Sequence, residues 1–170
     1  MSFENTGAEG KKHTLGFGAF REIWDSVEDG GIRELTVTGT SMTPLLLDSV
    51  SRVYIEKCAG DAVEKGDIVF FSRSDGGLVL HRVVRVQEGS RLTVNGDAQT
   101  WSETIDRGQV LARVVKIRRK KRTFSVRNLF YRAYRSLWML AMPIRPRLLS
   151  LYRLPARIKR KLGKLAEAKK

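Results

Sequence analysis

Between residues 35 and 117 the chain consists of short β-prone runs separated by tight turns, and this spacing limits its possible folds more than any other feature. Leu35-Thr36-Val37 is a short strand candidate, and residues 50–55 alternate around Val53 and Ile55. Residues 67–73 (DIVFFSR) and 78–87 (LVLHRVVRVQ) are rich in β-branched and aromatic side chains, with Ser74-Asp75-Gly76-Gly77 between them as a hairpin turn. Glu88-Gly89-Ser90 is a second turn leading into residues 91–94, and residues 109–117 (QVLARVVKI) form the last run. Five or six short strands with tight turns predict a mainly β fold, a small coiled antiparallel β domain over residues 35–117.

The flanking segments read differently. Residues 1–15 are polar and lack periodicity, which predicts a disordered start. Phe17, Phe20, Ile23, Trp24 and Val27 then recur at helical spacing, and Gly30-Gly31 stops that helix within a leading segment of residues 1–34. The chain of 170 residues carries +14, but the charge is divided unevenly: residues 1–117 carry −3, while residues 118–170 hold 18 Lys and Arg against one acid, Glu167. A like-charge block, Arg118-Arg119-Lys120-Lys121-Arg122, opens this segment. From Val126 to Ala141 the apolar residues 126, 129, 130, 133, 137, 140 and 141 share one helical face. Arg127, Arg132 and Arg135 lie opposite, Tyr131 and Trp138 fall at the margins, and Pro143 and Pro146 break the helix. Residues 118–170 thus read as a basic amphipathic helical tail suited to an anionic membrane surface. Nucleic acid is a less favoured partner for the same charge, and packing of the apolar face on the β domain is a further alternative.

Composition removes several chemistries. The single cysteine, Cys58, excludes an intrachain disulfide and a multi-cysteine zinc cluster. His13 and His81 are the only histidines, so a His-rich metal site is not expected. No apolar run is long enough to span a bilayer and no signal peptide is visible, which predicts a cytoplasmic protein, peripheral at the membrane.

The stretch Thr38-Gly39-Thr40-Ser41-Met42-Thr43-Pro44-Leu45 follows a short strand; Gly39 permits a sharp turn and Pro44 stiffens the chain beyond the serine. Such a turn presents either an ordinary loop serine or a nucleophile with backbone N–H groups beside it. His81 lies between Val79 and Val83 on one strand face, as a core histidine or as a general base titrating near neutrality. Asn95-Gly96-Asp97 is a hairpin turn or the source of an acid that orients the imidazole.

In order along the chain stand Gly-x-Ser-Met-x-Pro at 39–44, Lys-Gly-Asp-Ile-Val-Phe-Phe at 65–71, His-Arg-Val-Val at 81–84, Gly-Asp at 96–97 and the strand at 110–114. This series resembles the signal-peptidase-like serine peptidases, the superfamily that includes the self-cleaving repressor peptidases, and within it the histidine-base branch of archaea and the endoplasmic reticulum. The resemblance covers roughly residues 35–117. It implies a serine-type endopeptidase that cuts a peptide or protein substrate without a cofactor. On that reading Ser41 is the nucleophile, His81 the general base, and the backbone N–H of Ser41, with Thr40 and Gly39, the oxyanion hole. Asp97 ranks first as the orienting acid because its Gly-Asp motif is intact. Asp106, of the pair Asp106-Arg107, and Glu103, at the spacing of the branch's second acid, rank behind it. Residues 67–85 contain no lysine, so this region offers no Ser-Lys dyad.

Membrane-bound signal peptidases carry an N-terminal transmembrane helix, and no matching apolar run occurs in this chain. Leu45, Leu46 and Leu47 offer either a hydrophobic edge toward lipid or substrate, or ordinary core packing. The competing reading is a catalytically inactive binding module of the peptidase fold, tethered to anionic membrane or nucleic acid by its basic tail. A self-cleaving regulator ranks lower, because about 34 leading residues are few for a DNA-binding domain and the Ala59-Gly60 pair lies downstream of the serine.

Overall fold

Residues 68–71 are apolar without alternation, so a strand made of them must be covered on both faces. The computed structural model, which describes residues 3–6, 12–15, 22 and 24–152, meets this demand with one antiparallel sheet and two hydrophobic cores. Its strands are β1 (Phe3–Thr6), β2 (Lys12–Leu15), β3 (Ile32–Thr36), β4 (Ser51–Lys57) and β5 (Ile68–Ser72), then β6 (Leu78–Val86), β7 (Arg91–Asn95), β8 (Glu103–Asp106), β9 (Val110–Arg119) and β10 (Arg122–Ser125). They run in the order β2-β1-β3-β4-β9-β5-β6-β7-β8, with β10 paired to β9. Ile68 and Phe70 enter a core with Leu35, Met42, Leu46 and Ile117; Val69 and Phe71 enter a second core with Val79, Val83, Leu92 and Val94. The hairpin at residues 74–77 sets Phe71 opposite Val79 and Val69 opposite His81.

Several sequence expectations need correction. Within residues 1–15, expected to be disordered, β1 and β2 form a hairpin that joins the sheet through Glu4 opposite Thr36. Their pairing is made by backbone hydrogen bonds, which leave little hydrophobic signature. Of the helix expected over residues 17–27, the part before Glu22, together with Ile23, lies outside the described residues; Trp24 and Val27 are buried, and Gly30 follows with φ +78°. Strand β8 escaped the sequence reading. Of the two roles open to Leu45 and Leu46, core packing is the one the fold shows.

The segment after residue 117 is not simply a tail. The basic block at 118–122 is the end of β9 and the turn into β10, with Lys120 at φ +55° and Arg122 opposite Arg119. Asn128 caps helix α1 (Leu129–Leu140) by accepting a hydrogen bond from the Phe130 N–H at 2.8 Å. A short 3-10 turn at Met142–Ile144 leads into helix α2 at 145–152, with Pro146 in the first turn, where a proline is tolerated. Among the described residues no helix is long and apolar enough to cross a membrane.

Candidate active site

The serine loop leaves the sheet just after β3. Its ends are tied by hydrogen bonds from the Val37 N–H to the Ser51 carbonyl and from the Ser49 N–H to the Val37 carbonyl. Met42 and Leu46, both fully buried, pin its floor. Gly39 stands at φ +90°, and its N–H donates to Oδ1 of Asp48 at 2.7 Å. That donor is therefore engaged, and Gly39 is removed from the expected oxyanion hole, leaving the N–H groups of Thr40 and Ser41. The far side of the loop is held by the turn at residues 95–99. The Ala98 N–H donates to the Ser41 carbonyl at 2.7 Å, and a Cβ on Gly96 would stand 2.8 Å from that same carbonyl oxygen. Position 96 is thus glycine because the serine loop passes against its backbone.

His81 projects from β6 into the face that also carries Phe71 and Val79. It is almost wholly buried, with Phe71 and Trp101 ring centroids 6.0 and 6.2 Å away. Its Nδ1 lies 2.9 Å from Oε1 of Glu103, so the carboxylate stands at the Nδ1 edge of the ring. Arg73 grips Glu103 from the other side, Nε to Oε2 at 2.8 Å and Nη2 to Oε1 at 2.7 Å, and its guanidinium lies 5.9 Å from the Trp101 ring centre. Burial pushes the His81 pKa below its usual value; Glu103 opposes that shift and Arg73 adds to it. At neutral pH the ring is therefore the free base. Its Nδ1 side faces a carboxylate, and Nε2 is left as the nitrogen to accept a proton.

Asp97, expected first as the orienting acid, does not face His81. It is fully buried against Arg82, with Oδ1 at 2.8 Å from Nε and Oδ2 at 2.7 Å from Nη2. Arg82 also donates from Nη1 to the Gly66 carbonyl and to the Tyr131 hydroxyl. The Gly-Asp motif is therefore a structural clamp, because a buried guanidinium must be matched by a carboxylate. Asp106 is exposed at the end of β8, 3.9 Å from Arg91. Glu103, ranked last from the sequence, is the acid beside the histidine.

Ser41 and His81 line one open cleft of about 690 Å³, together with Thr38, Asp48, Arg73 and Trp101. The Ser41 Oγ is buried and makes no hydrogen bond. No protein-family model matches the chain, and no curated protein matches it in sequence. Arg73 and Trp101 had no sequence signal: each gains its place only when β5 and the β7–β8 connection meet across the sheet. The resemblance did carry a cue for Glu103, which lies six residues after Asp97 at the spacing of the branch's second acid.

Proposed function

We propose that the protein is a serine endopeptidase in which Ser41 attacks a peptide carbonyl and His81 takes the serine proton on Nε2. Glu103 fixes the ring and stabilises the imidazolium as it forms. The same proton then passes to the leaving amine, and water hydrolyses the acyl-enzyme by the reverse sequence. The Ser41 N–H, with that of Thr40, serves the developing oxyanion. The observation that carries this reading is that Ser41 and His81 both line one cleft while a carboxylate stands at Nδ1 of the imidazole. The resemblance of residues 35–117 to signal-peptidase-like enzymes supports the same chemistry.

One observation favours the second reading, a binding module without turnover: the Ser41 hydroxyl is not hydrogen-bonded to His81. Catalytic hydrogen bonds are often long until substrate compresses the site, so the two readings separate by reactivity. Treatment with a fluorophosphonate probe should add one phosphonyl group to Ser41, located by peptide mass spectrometry, and Ser41→Ala and His81→Ala should both abolish it. Labelling that survives Ser41→Ala, or a wild-type chain inert to the probe, overturns the peptidase reading.

A further inference from the structure

Helix α1 docks by the edge that its sequence least advertises. Tyr131 is buried; Tyr134 stacks on Trp138 with ring centroids 6.0 Å apart, and the Arg145 guanidinium lies 5.2 Å from the Trp138 ring centre. The apolar stripe faces away from the domain: Leu129, Phe130, Leu137 and Leu140 are 68–85% exposed. Ile144, Leu148 and Leu151 extend the exposed apolar series through α2 at spacings of three and four residues. Isolated exposed leucines are ordinary, but a continuous row of them is not.

The flank of this row is cationic. Residues 126–152 hold five arginines and no acid. Arg145 is buried on Asn95, and Arg135 reaches Asp67 at 3.8 Å. Among the described residues Arg127, Arg132 and Arg147 pair with no carboxylate. Beside Phe130 opens an apolar hollow of about 330 Å³ lined by Leu45, Phe124, Tyr131 and Tyr134.

We propose that this stripe lies in the headgroup interface of an anionic lipid bilayer, with Leu129, Phe130, Leu137 and Leu140 entering the acyl boundary and the arginines meeting lipid phosphates. Nucleic acid would satisfy the arginines and leave the leucines in water. A neutral bilayer would take up the leucines and leave the charge unanswered. An anionic bilayer matches both features of one helix. The surface does not depend on the catalytic reading, and Ser41→Ala protein should bind vesicles as the wild type does.

The test is co-sedimentation of the full chain with vesicles of phosphatidylcholine alone and of phosphatidylcholine with phosphatidylglycerol, at low and high salt. Binding should require the anionic lipid, weaken with salt, and fall by roughly tenfold or more in Leu137→Glu/Leu140→Glu. Thermal melts of that variant should match the wild type, because both positions are exposed. Arg127→Gln/Arg132→Gln should weaken binding severalfold. The proposal is overturned by absence of vesicle binding. It is equally overturned by binding that survives Leu137→Glu/Leu140→Glu and is competed by duplex DNA, which assigns the charge to nucleic acid. Sedimentation that reveals a dimer lost in that variant, without vesicle binding, assigns the stripe to a second copy of the chain.

Discussion

Arg73 holds Glu103 through two charge-assisted hydrogen bonds, 2.8 and 2.7 Å, and the Glu103 oxygen it holds at 2.7 Å lies 2.9 Å from Nδ1 of His81. The arginine thereby aims the carboxylate while contributing a positive charge that disfavours a protonated ring. Two acids near the serine loop thus have separate tasks. Asp97 neutralises Arg82 inside the protein, and Glu103 faces the imidazole.

Substitution separates these tasks. Glu103→Gln should slow fluorophosphonate labelling of Ser41 by about a hundredfold or more, since the ring loses its tautomer-setting partner. Its melting should change little, because the partly exposed Arg73–Glu103 pair contributes about 1 kcal/mol or less. Asp97→Asn should do the reverse, costing about 3–5 kcal/mol in denaturant melts by leaving Arg82 buried without its counter-charge. A stable, unreactive Asp97→Asn beside a reactive Glu103→Gln would return the orienting role to Asp97.

Reactivity should follow the deprotonation of His81. Because burial holds the ring below its usual range, the labelling rate should rise with pH along a limb whose midpoint lies below ~6.5 and reach a plateau by neutrality. In Arg73→Gln that midpoint should move upward, because a charge that opposes ring protonation is gone. A loss of rate with no movement of the limb would mean that Arg73 acts only through packing on Trp101.

The same ring should mark stability. Its folded pKa is depressed, so the unfolded chain binds the extra proton first, and stability must fall as pH drops from the unfolded value of ~6.5 through the folded one. Above ~6.5 the ring is neutral in both states and contributes no slope. Urea melts across this window should become less pH-dependent in His81→Gln. An unchanged slope would locate the acid sensitivity elsewhere.

Much of this architecture was legible because periodicity reports burial. The unbroken apolar run at 68–71, the glycine turn before Leu78 and the odd-numbered face of His81 all appear in the fold as the sequence implied. What was hidden depends on contacts between distant segments. Asp97 and Glu103 are both acids after the same strand, and only the packing of Arg82 and Arg73 separates their roles. The helix at 129–140 was visible, but its docking face was not. Tyr131, Tyr134 and Trp138 bury less uniformly apolar surface than the leucine row, yet Tyr131 reaches a buried arginine that the leucines could not satisfy.

Gly96 should prove more important for reactivity than for folding. An added methyl group would meet the Ser41 carbonyl at 2.8 Å and the Gln99 side chain at 2.6 Å, so either the serine loop or the 95–99 turn must shift. Gly96→Ala should therefore slow labelling by roughly tenfold to a hundredfold, consistent with the sensitivity of such sites to small displacements. Thermal melts should fall by only a few degrees. Full reactivity in this variant would show that the turn does not position the serine.

Helix α1 should behave as part of the domain, although the charge boundary at residue 117 suggested an appendage. Nη1 of Arg82 donates to the Tyr131 hydroxyl at 3.2 Å, and Nη1 of Arg145 donates to Oδ1 of Asn95 at 2.8 Å, the residue just before Gly96. Tyr131→Phe removes one acceptor from a buried guanidinium and should cost about 1–3 kcal/mol. A chain ending after residue 126 loses Tyr131, Arg145 and the aromatic stack together. It should melt well below Tyr131→Phe, and its Ser41 should label more slowly because Arg82 and Asn95 flank the elements that carry His81 and Gly96. A shortened chain that melts and labels like the full protein would make the helix an independent anchor, joined to the β domain only by the chain.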